Sequence, residues 1–330
     1  MSADEIARDA TWLAQALDPS RGLVRLVAMD RESYRAASFL DDRMLQSPLD
    51  AQLVPWIAIE EAITPDLRSD ARWIFHIGHV GSTLVSRLLG ELDGVLAVRE
   101  PRLLRDLALT PPDIRQRYIV PAPQLMSRTF AQDQFACVKA TSFASEIAPQ
   151  LVPSGERALF LFASARNYVA SILAGENSMQ ELRILAGSRA QRLNGRGIHF
   201  SPQDDAQLAA TSWACEMSAL GAAAEAMSDR RIQWIDFDAM LRDMDSGLSD
   251  IAGFFGFGAE PERIRAIGSG PIMSRYSKAP EYEYSPALRR ELIGETGERY
   301  RREIDGALAM LRSAAEKSPP LAQAMARAES

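Results

Sequence analysis

A short run of glycine and hydroxyl residues, GHVGST, stands between an apolar segment and a helical pattern. Its members are Gly78, His79, Val80, Gly81, Ser82 and Thr83. The two glycines allow the backbone to turn tightly, and the Ser-Thr pair caps the helix with hydroxyls beside its free N–H groups. A junction of this kind attracts phosphate. An ordinary strand-to-helix turn with a hydroxyl cap fits the same residues, so both interpretations stay open on this run alone.

The run departs from the Walker pattern G-x-x-x-x-G-K-[ST] of nucleoside triphosphatases. Gly81 matches the second glycine, but His76 stands at the first glycine and Ser82 replaces the lysine. An ATPase or kinase uses that lysine to hold the terminal phosphate beside Mg²⁺. The junction therefore favours a phosphate site of another kind.

Two charged residues follow apolar segments, a place where parallel strands commonly carry functional side chains. Glu100 precedes Pro101, so it is either a base for a nucleophile or a cap for the helix that the proline begins. Lys139 ends the segment FACVK. Because nearly all basic residues are arginines, a retained lysine indicates a site that needs a compact ammonium. A snorkelling lysine at a strand end is the alternative.

These residues lie among apolar runs that alternate with helical patterns from Arg72 onward, which is typical of a parallel sheet covered on both faces. The predicted strands are Arg72 to Ile77, Val95 to Val98, Phe135 to Lys139, Ala158 to Phe162 and Arg231 to Asp236. The predicted helices are Thr83 to Leu92, Ile114 to Phe130 with an interruption around Pro121 and Pro123, Phe143 to Leu151, Asn167 to Ala174, Asp204 to Met227 and Pro286 to Ala315. The predicted fold class is α/β, with a central parallel sheet flanked by helices.

The pattern divides the chain into three parts. Residues 1–70 form a helical and mixed extension, with a helix over Asp4 to Leu17 and a strand over Leu23 to Met29. Residues 71–316 form the α/β domain, and residues 317–330 form a loose tail. We expect the extension to pack on the α/β domain and to shape one side of its site.

Composition bounds the partners and the compartment. The 330 residues carry a formal net charge of −7, which argues against binding to nucleic acid or to an anionic membrane. No apolar run reaches the roughly 20 residues of a membrane span, and the first residues lack the pattern of a signal peptide. Cys137 and Cys215 suggest neither a disulfide nor a zinc site. We expect a cytoplasmic protein that needs no metal ion.

The order of these motifs resembles that of the sulfotransferases, a family with a P-loop-like fold, and this chain is similar to a divergent bacterial member. GHVGST resembles the 5′-phosphosulfate loop of that family. The segment REPR around Glu100 resembles the one with the catalytic carboxylate, and VKATSF resembles the V-K-x-x stretch with Lys139 on the family lysine. ALFLFASARNYVAS is similar to the 3′-phosphate segment, in which Ser171 matches the helix serine. The resemblance covers Arg72 to Gly258.

The resemblance implies transfer of a sulfuryl group from the donor 3′-phosphoadenosine-5′-phosphosulfate to a hydroxyl or amine. Glu100 would be the base, while His79, Lys139 and the loop amides would stabilise the departing oxygens. The residues implied for the nucleotide are Gly78, His79, Val80, Gly81, Ser82, Thr83, Arg166, Ser171, Arg275 and Lys278. The acceptor would be a small molecule, a glycan or a peptide.

Three positions depart from the family pattern. His79 stands where the family has lysine or arginine, Ala163 where it has the 3′-phosphate arginine, and Thr141 where the cytosolic branch has histidine. The alternatives are a degenerate protein that binds a nucleotide or peptide without catalysis, and an ATP-using phosphoryl or adenylyl transferase on the same fold. A further alternative is a class I aminoacyl-tRNA synthetase, whose HIGH tetrapeptide matches residues 76–79.

Overall fold

An antiparallel sheet and a parallel sheet organise the chain, which the computed structural model describes over residues 2–46, 48–274 and 285–329. The antiparallel sheet has the order β1-β2-β3, formed by β1 (Trp12–Asp18), β2 (Leu23–Ala28) and β3 (Ala51–Pro55). The parallel sheet contains β4 (Arg72–His76), β5 (Val95–Arg99), β6 (Phe135–Lys139), β7 (Arg157–Phe162) and β8 (Arg231–Asp236). Its order is β5-β6-β4-β7-β8.

Helices alternate with the strands of the parallel sheet and flank it. They are α1 (Ala3–Arg8), α2 (Arg31–Ala36), α3 (Trp56–Ala62), α4 (Ser82–Leu89), α5 (Arg102–Leu109), α6 (Pro112–Ile119), α7 (Ala122–Ser127), α8 (Ala148–Leu151), α9 (Ala165–Leu173), α10 (Glu176–Asn194), α11 (Asp205–Ala226), α12 (Phe237–Met240), α13 (Met244–Phe255), α14 (Pro261–Gly268), α15 (Pro286–Arg299), α16 (Arg301–Ala315) and α17 (Pro319–Glu329). Short 3₁₀ helices lie at Asp42–Gln46, Ser142–Ile147 and Pro271–Ser274. The α/β class and the predicted strands of the parallel sheet are confirmed.

Strand β4 occupies the centre of the parallel sheet, and every residue in it is buried. The chain leaves β4 for β5 and β6 on one side and returns for β7 and β8 on the other. In an open parallel sheet, a ligand crevice forms outside the carboxyl ends of the strands where the strand order reverses. The topology therefore places the candidate loop after β4 between the ends of β6 and β7, with the end of β5 one strand further out.

The predicted helix over Asp4 to Leu17 is wrong, because α1 ends at Arg8 and β1 follows it. The turn between β1 and β2 explains the difference. Asp18 accepts hydrogen bonds from the next turn of backbone, and Gly22 adopts a φ of +64° that favours glycine. In the hairpin, β1 pairs with β2 and packs on α5. These tertiary contacts override the helical pattern of residues 12–17. The strand predicted over Leu23 to Met29 is confirmed as β2.

The residues expected to form a loose tail are instead helix α17, in which Leu321 is buried. They pack on α11, a helix rich in alanine that is buried on nearly every side. Small side chains let α9, α10, α16 and α17 approach α11 closely. The helix predicted over Pro286 to Ala315 is divided at Tyr300 into α15 and α16.

The two cysteines are buried free thiols on β6 and α11. Burial raises the pKa of Cys137 and of Cys215 to about 12, so both stay protonated near neutral pH. Across residues 2–46, 48–274 and 285–329, no cluster of histidine, cysteine and carboxylate side chains has the arrangement of a metal site. Within the same ranges, every helix is too short or too polar to cross a bilayer.

A buried ion pair joins α10 to α11. The Glu216 carboxylate is fully buried and accepts hydrogen bonds from Arg189 Nε at 3.3 Å and from Arg192 Nη1 at 2.9 Å. Burial alone would raise the pKa of Glu216, but Arg192 and Arg189 outweigh this effect and lower the pKa. The interaction fixes α10 against α11.

We expect Glu216→Gln to lower the free energy of unfolding at pH 7 by about 3 kcal/mol, because two buried guanidinium groups lose their ionised partner. Glu216 has a lowered pKa, so its contribution is present above the ordinary pKa of glutamate and is lost as the pH falls. Urea denaturation should therefore show a gap between wild type and variant that narrows from pH 5 to pH 3. Glu225→Gln, an exposed position on the same helix, is the control. Equal stability of wild type and Glu216→Gln would contradict this account.

Candidate functional site

The loop between β4 and α4 adopts a left-handed backbone at three residues. Gly78 has a φ of +78°, His79 a φ of +54° and Gly81 a φ of +60°. A Cβ at Gly81 would collide with the Phe237 ring, so only glycine fits there. The predicted cap by Ser82 and Thr83 is wrong, because Gly81 is the N-cap residue and no side chain of the described residues caps α4. The first N–H groups of α4 are therefore placed to bind an anion, as the sequence predicts for a phosphate loop.

The candidate base and the lysine lie side by side at the ends of β5 and β6. Arg99 and Lys139 are register partners, and the backbone N–H of Glu100 donates to the Lys139 carbonyl at 2.7 Å. Lys139 Nζ forms an ion pair with Glu100 Oε1. The Lys139 side chain is only 1% exposed, so this is a buried pair and not a snorkelling lysine. Glu100 has a φ of +54°, an unfavourable value for glutamate that the pairing maintains.

Lys139 also reaches the loop. Its Nζ donates a hydrogen bond to Thr83 Oγ1 at 3.1 Å, and Thr83 lies in the first turn of α4. Ser82, beside it, is buried at the same helix start, and Val80 is buried beneath the loop. One ammonium therefore contacts both the loop hydroxyl and the candidate base.

Two further groups surround the Glu100 carboxylate. Arg43 Nη2 lies 3.3 Å from Oε2, and His76 Nε2 lies 3.7 Å from Oε1. Burial alone would raise the pKa of Glu100, but Lys139 and His76 outweigh burial and hold the pKa well below its usual range. The carboxylate is therefore ionised and strongly stabilised, which makes it a weak base in this arrangement.

The N-terminal extension covers this cluster. Arg99 is buried and donates to the carbonyl groups of Ala37 and Arg35 at the end of α2, and burial lowers its pKa to about 10. The next residues of the extension bring Phe39 against the site, with Lys139 Nζ 5.3 Å from its ring centre and the Arg43 guanidinium 3.2 Å from it. The sequence did not indicate Phe39 or Arg43, because neither belongs to a motif.

His79 turns toward α9 and α10. Its Nδ1 lies 3.4 Å from Ser178 Oγ, its Nε2 lies 3.8 Å from Glu181 Oε2, and its ring meets the edge of Tyr168. Ser178 and Glu181 belong to α10, which was not predicted. His76 and His79 thus contact different parts of the site, so the HIGH sequence does not form a pair of imidazoles directed at one ligand.

The residues predicted for the 3′-phosphate lie on α9. Arg166 Nη2 pairs with Asp305 of α16 at 2.5 Å, at the edge of a cleft of about 420 Å³ between α9, α15 and α16. Ser171 is half-buried five residues further along α9, which places it about 140° around the helix from Arg166. Arg275 and Lys278 lie outside the described residues. The contacts of the described residues do not bring Arg166 and Ser171 together with the Glu100 cluster.

The end of β8 supports the loop from the other side. Asp236 Oδ1 accepts hydrogen bonds from the N–H groups of Asp238 at 2.7 Å and Ala239 at 3.1 Å, which makes it a helix cap. This cap fixes Phe237 against Gly81. The loop conformation therefore depends on packing from β8 as well as on its own glycines.

We expect Lys139→Met to raise the pKa of Glu100, because burial then acts on the carboxylate without its closest cation. In the wild type the lowered pKa contributes stability above the ordinary pKa of glutamate, and this contribution is lost as the pH falls. The variant should lose less stability than the wild type on acidification. A ¹³C-carboxyl NMR titration of Glu100 measures the pKa directly. An unchanged pKa in Lys139→Met, with exposed Lys317→Met as the matched control, would contradict the ion pair.

Solved structures of sulfotransferase domains are similar to this chain. One, from the curacin biosynthetic pathway, aligns with 75% of this chain and 99% of its own, at 12% identity and a TM-score of 0.44. Another, from the Synechococcus PCC 7002 olefin synthase, aligns with 72% of this chain and 97% of its own, at 14% identity and a TM-score of 0.41. No family model and no curated protein matches the sequence. Similarity at this level identifies no family.

Proposed function

We propose that this chain is a sulfotransferase, which moves a sulfuryl group from 3′-phosphoadenosine-5′-phosphosulfate to a hydroxyl or amine of an acceptor. The observation that carries the proposal is the Lys139 ammonium, which contacts both the Glu100 carboxylate and the Thr83 hydroxyl. Sulfuryl transfer needs a base on the nucleophile and positive charge on the departing oxygens, at one place. Lys139 connects Glu100, which is suited to act as the base, with the loop, which is suited to hold the departing oxygens.

The loop has room and donors for the phosphosulfate of this donor. A Cβ at Gly78 would meet no neighbouring atom within 4 Å, so open space lies over the turn. The uncapped N–H groups of Gly81, Ser82 and Thr83 and the Lys139 ammonium supply hydrogen-bond donors there. When bound, the donor supplies the sulfuryl group and a phosphate leaving group. The resemblance assigns its 3′-phosphate to Arg166, Ser171, Arg275 and Lys278, and Arg166 would first leave Asp305, its partner in the observed conformation.

The reaction forms a bond between sulfur and the acceptor oxygen or nitrogen and breaks the bond between sulfur and the bridging phosphate oxygen. The electron pair of the broken bond stays on the phosphate oxygen, and the acceptor proton passes to Glu100. Lys139 and the loop N–H groups stabilise the negative charge that develops on the departing oxygens. His79 would join them after its ring leaves Ser178 and Glu181 of α10. These roles require no metal ion.

Lys139 changes its main partner before Glu100 acts as a base. In the observed arrangement the ammonium holds the pKa of Glu100 low. Negative charge bound over the loop attracts the ammonium toward Thr83 and away from the carboxylate. The pKa of Glu100 then rises, because burial opposes its charge. The base is therefore activated when the donor site is filled.

The extension and the α/β domain have separate tasks in this proposal. Residues 71–316 carry the donor site, and residues 1–70 shape the acceptor side through Phe39 and Arg43, which cover Glu100. The acceptor is a small molecule, a glycan or a peptide, and not a nucleic acid, because the net charge is −7. The buried free thiols of Cys137 and Cys215 support a reducing, cytoplasmic location.

We expect 3′-phosphoadenosine-5′-phosphate to bind the purified protein with a Kd at or below about 10 μM, or about −7 kcal/mol, and Mg²⁺-ATP and AMP to bind far more weakly. Calorimetric titration measures all three. Lys139→Met should weaken the bisphosphate at least about tenfold, since one charged contact is lost, and Lys317→Met should not. Tight ATP binding without preference for the 3′-phosphate would point to an ATP-using transferase. No binding of any of the three would favour a degenerate binding protein.

We expect Glu100→Gln to slow hydrolysis of the donor, with water as the acceptor, by about 10²- to 10⁴-fold, because water loses its base. Release of labelled sulfate measures the rate. Binding of the bisphosphate should be retained, since glutamine keeps the shape of the side chain. Glu225→Gln on the exposed side of α11 is the matched control. A Glu100→Gln protein with the wild-type rate would show that Glu100 is only a structural partner of Lys139.

A further inference from the structure

We infer that His76 is a positioning residue that couples the conformation of the loop to the orientation of Glu100, an inference that rests on the proposed function. His76 ends the central strand β4, and its side chain is 6% exposed. Its two ring nitrogens face two different parts of the site. Nδ1 lies 3.0 Å from the backbone nitrogen of Gly78, and Nε2 lies 3.7 Å from Glu100 Oε1.

The contact with Gly78 determines the tautomer of His76. A backbone N–H only donates, so Nδ1 must accept this hydrogen bond with its lone pair. The neutral imidazole then carries its proton on Nε2, the nitrogen that faces Glu100. Gly78 has a φ of +78°, so the bond belongs to the left-handed turn at the start of the loop. The loop conformation therefore sets which nitrogen presents a proton to the carboxylate.

Two chains of contacts connect the loop with Glu100 Oε1. One runs from Thr83 through Lys139, and the other runs from Gly78 through His76. Only the first contains the ammonium that a bound phosphosulfate attracts. When Lys139 moves toward the donor, the His76 N–H stays beside Oε1. Arg43, which lies 3.3 Å from Oε2 in the structure, keeps its contact with the other oxygen.

His76 then takes over the orientation of the carboxylate. Its distance of 3.7 Å is longer than a hydrogen bond, and contacts of this kind shorten when the substrate complex forms. A buried imidazole in a strand of apolar neighbours such as Trp73, Ile74 and Phe75 costs desolvation energy. Both of its nitrogens are directed at the site, which is the role that offsets this cost.

The tautomer is measured in the wild-type protein, and a variant serves only to assign the signals. ¹⁵N chemical shifts of the His76 imidazole in the purified protein at pH 7.5, assigned by comparison with His76→Asn, distinguish the two neutral forms. We expect a protonated Nε2 and an unprotonated Nδ1. A protonated Nδ1 would overturn the inference, because the Gly78 N–H would then have no acceptor and Glu100 no donor from this ring.

Two variants separate the two contacts of the ring. Asparagine can keep the acceptor for Gly78 but cannot reach Glu100, whereas glutamine can place an N–H near Glu100 but loses the acceptor for Gly78. With water as the acceptor, His76→Asn should lower kcat for donor hydrolysis by about 10- to 100-fold at an unchanged KM. His76→Gln should restore most of kcat but raise KM for the donor.

His199→Asn, at an exposed histidine, is the matched control and should change neither constant. Melting temperatures identify any variant that has lost its fold. If a variant has unfolded, the tautomer measured in the wild-type protein tests the inference instead. Equal changes in the same constant for His76→Asn and His76→Gln would overturn the inference. A wild type that neither binds the bisphosphate nor hydrolyses the donor would instead overturn the proposed function, and the tautomer measurement still decides the position of the His76 proton.

Discussion

A carboxylate and an ammonium are buried together at the carboxyl ends of two neighbouring parallel strands, and the rest of the site depends on this pair. Either charge alone would cost several kcal/mol to remove from water. The register of β5 on β6 sets Arg99 beside Lys139, and the positive φ of Glu100 follows at the next residue. The pair is thus formed by the sheet itself. An ion pair without a task is replaceable by apolar residues, so its presence at a ligand crevice points to function.

The extension gains its role from the same strand end. Arg99 and Glu100 are adjacent but serve opposite sides, since Arg99 binds the carbonyl groups at the end of α2 and Glu100 faces Lys139. The buried guanidinium holds the extension in place, which sets Phe39 and Arg43 over the pair. Water is thereby kept from the ammonium and the carboxylate, and their interaction is stronger than it would be at the surface.

The sequence allows the central sheet to be predicted because buried parallel strands are short apolar runs, and their ends carry Lys139 and Glu100. It also indicates the loop, since two glycines and a Ser-Thr pair follow a strand, although only the structure shows that a side chain at Gly81 would strike Phe237. Strand β1 could not be predicted, because its apolar spacing also fits a helix and only the pairing with β2 decides. Arg43 gives no signal in one sequence, since it is one exposed arginine among many. His76 did give a signal, as half of a tetrapeptide, but its two contacts with Gly78 and Glu100 exist only in three dimensions.

The distribution of charge explains how one site can be both stable and reactive. The contacts that lower the pKa of Glu100 stabilise the fold and at the same time suppress the base. We expect an anion on the loop to compete for Lys139 first, because this ammonium already contacts Thr83 of the loop, whereas Arg43 contacts the other carboxylate oxygen. Exchange of this one partner would activate the base without disturbing its orientation.

The central claim is that a bound anion removes Lys139 from Glu100. The most direct test is the pKa of the Glu100 carboxyl, followed by ¹³C NMR in the presence and absence of saturating 3′-phosphoadenosine-5′-phosphate. We predict that the pKa rises on binding, from well below the usual range of glutamate to within or above it. A pKa that stays low in the saturated protein would show that Lys139 keeps its partner, and the proposed activation of Glu100 would be wrong.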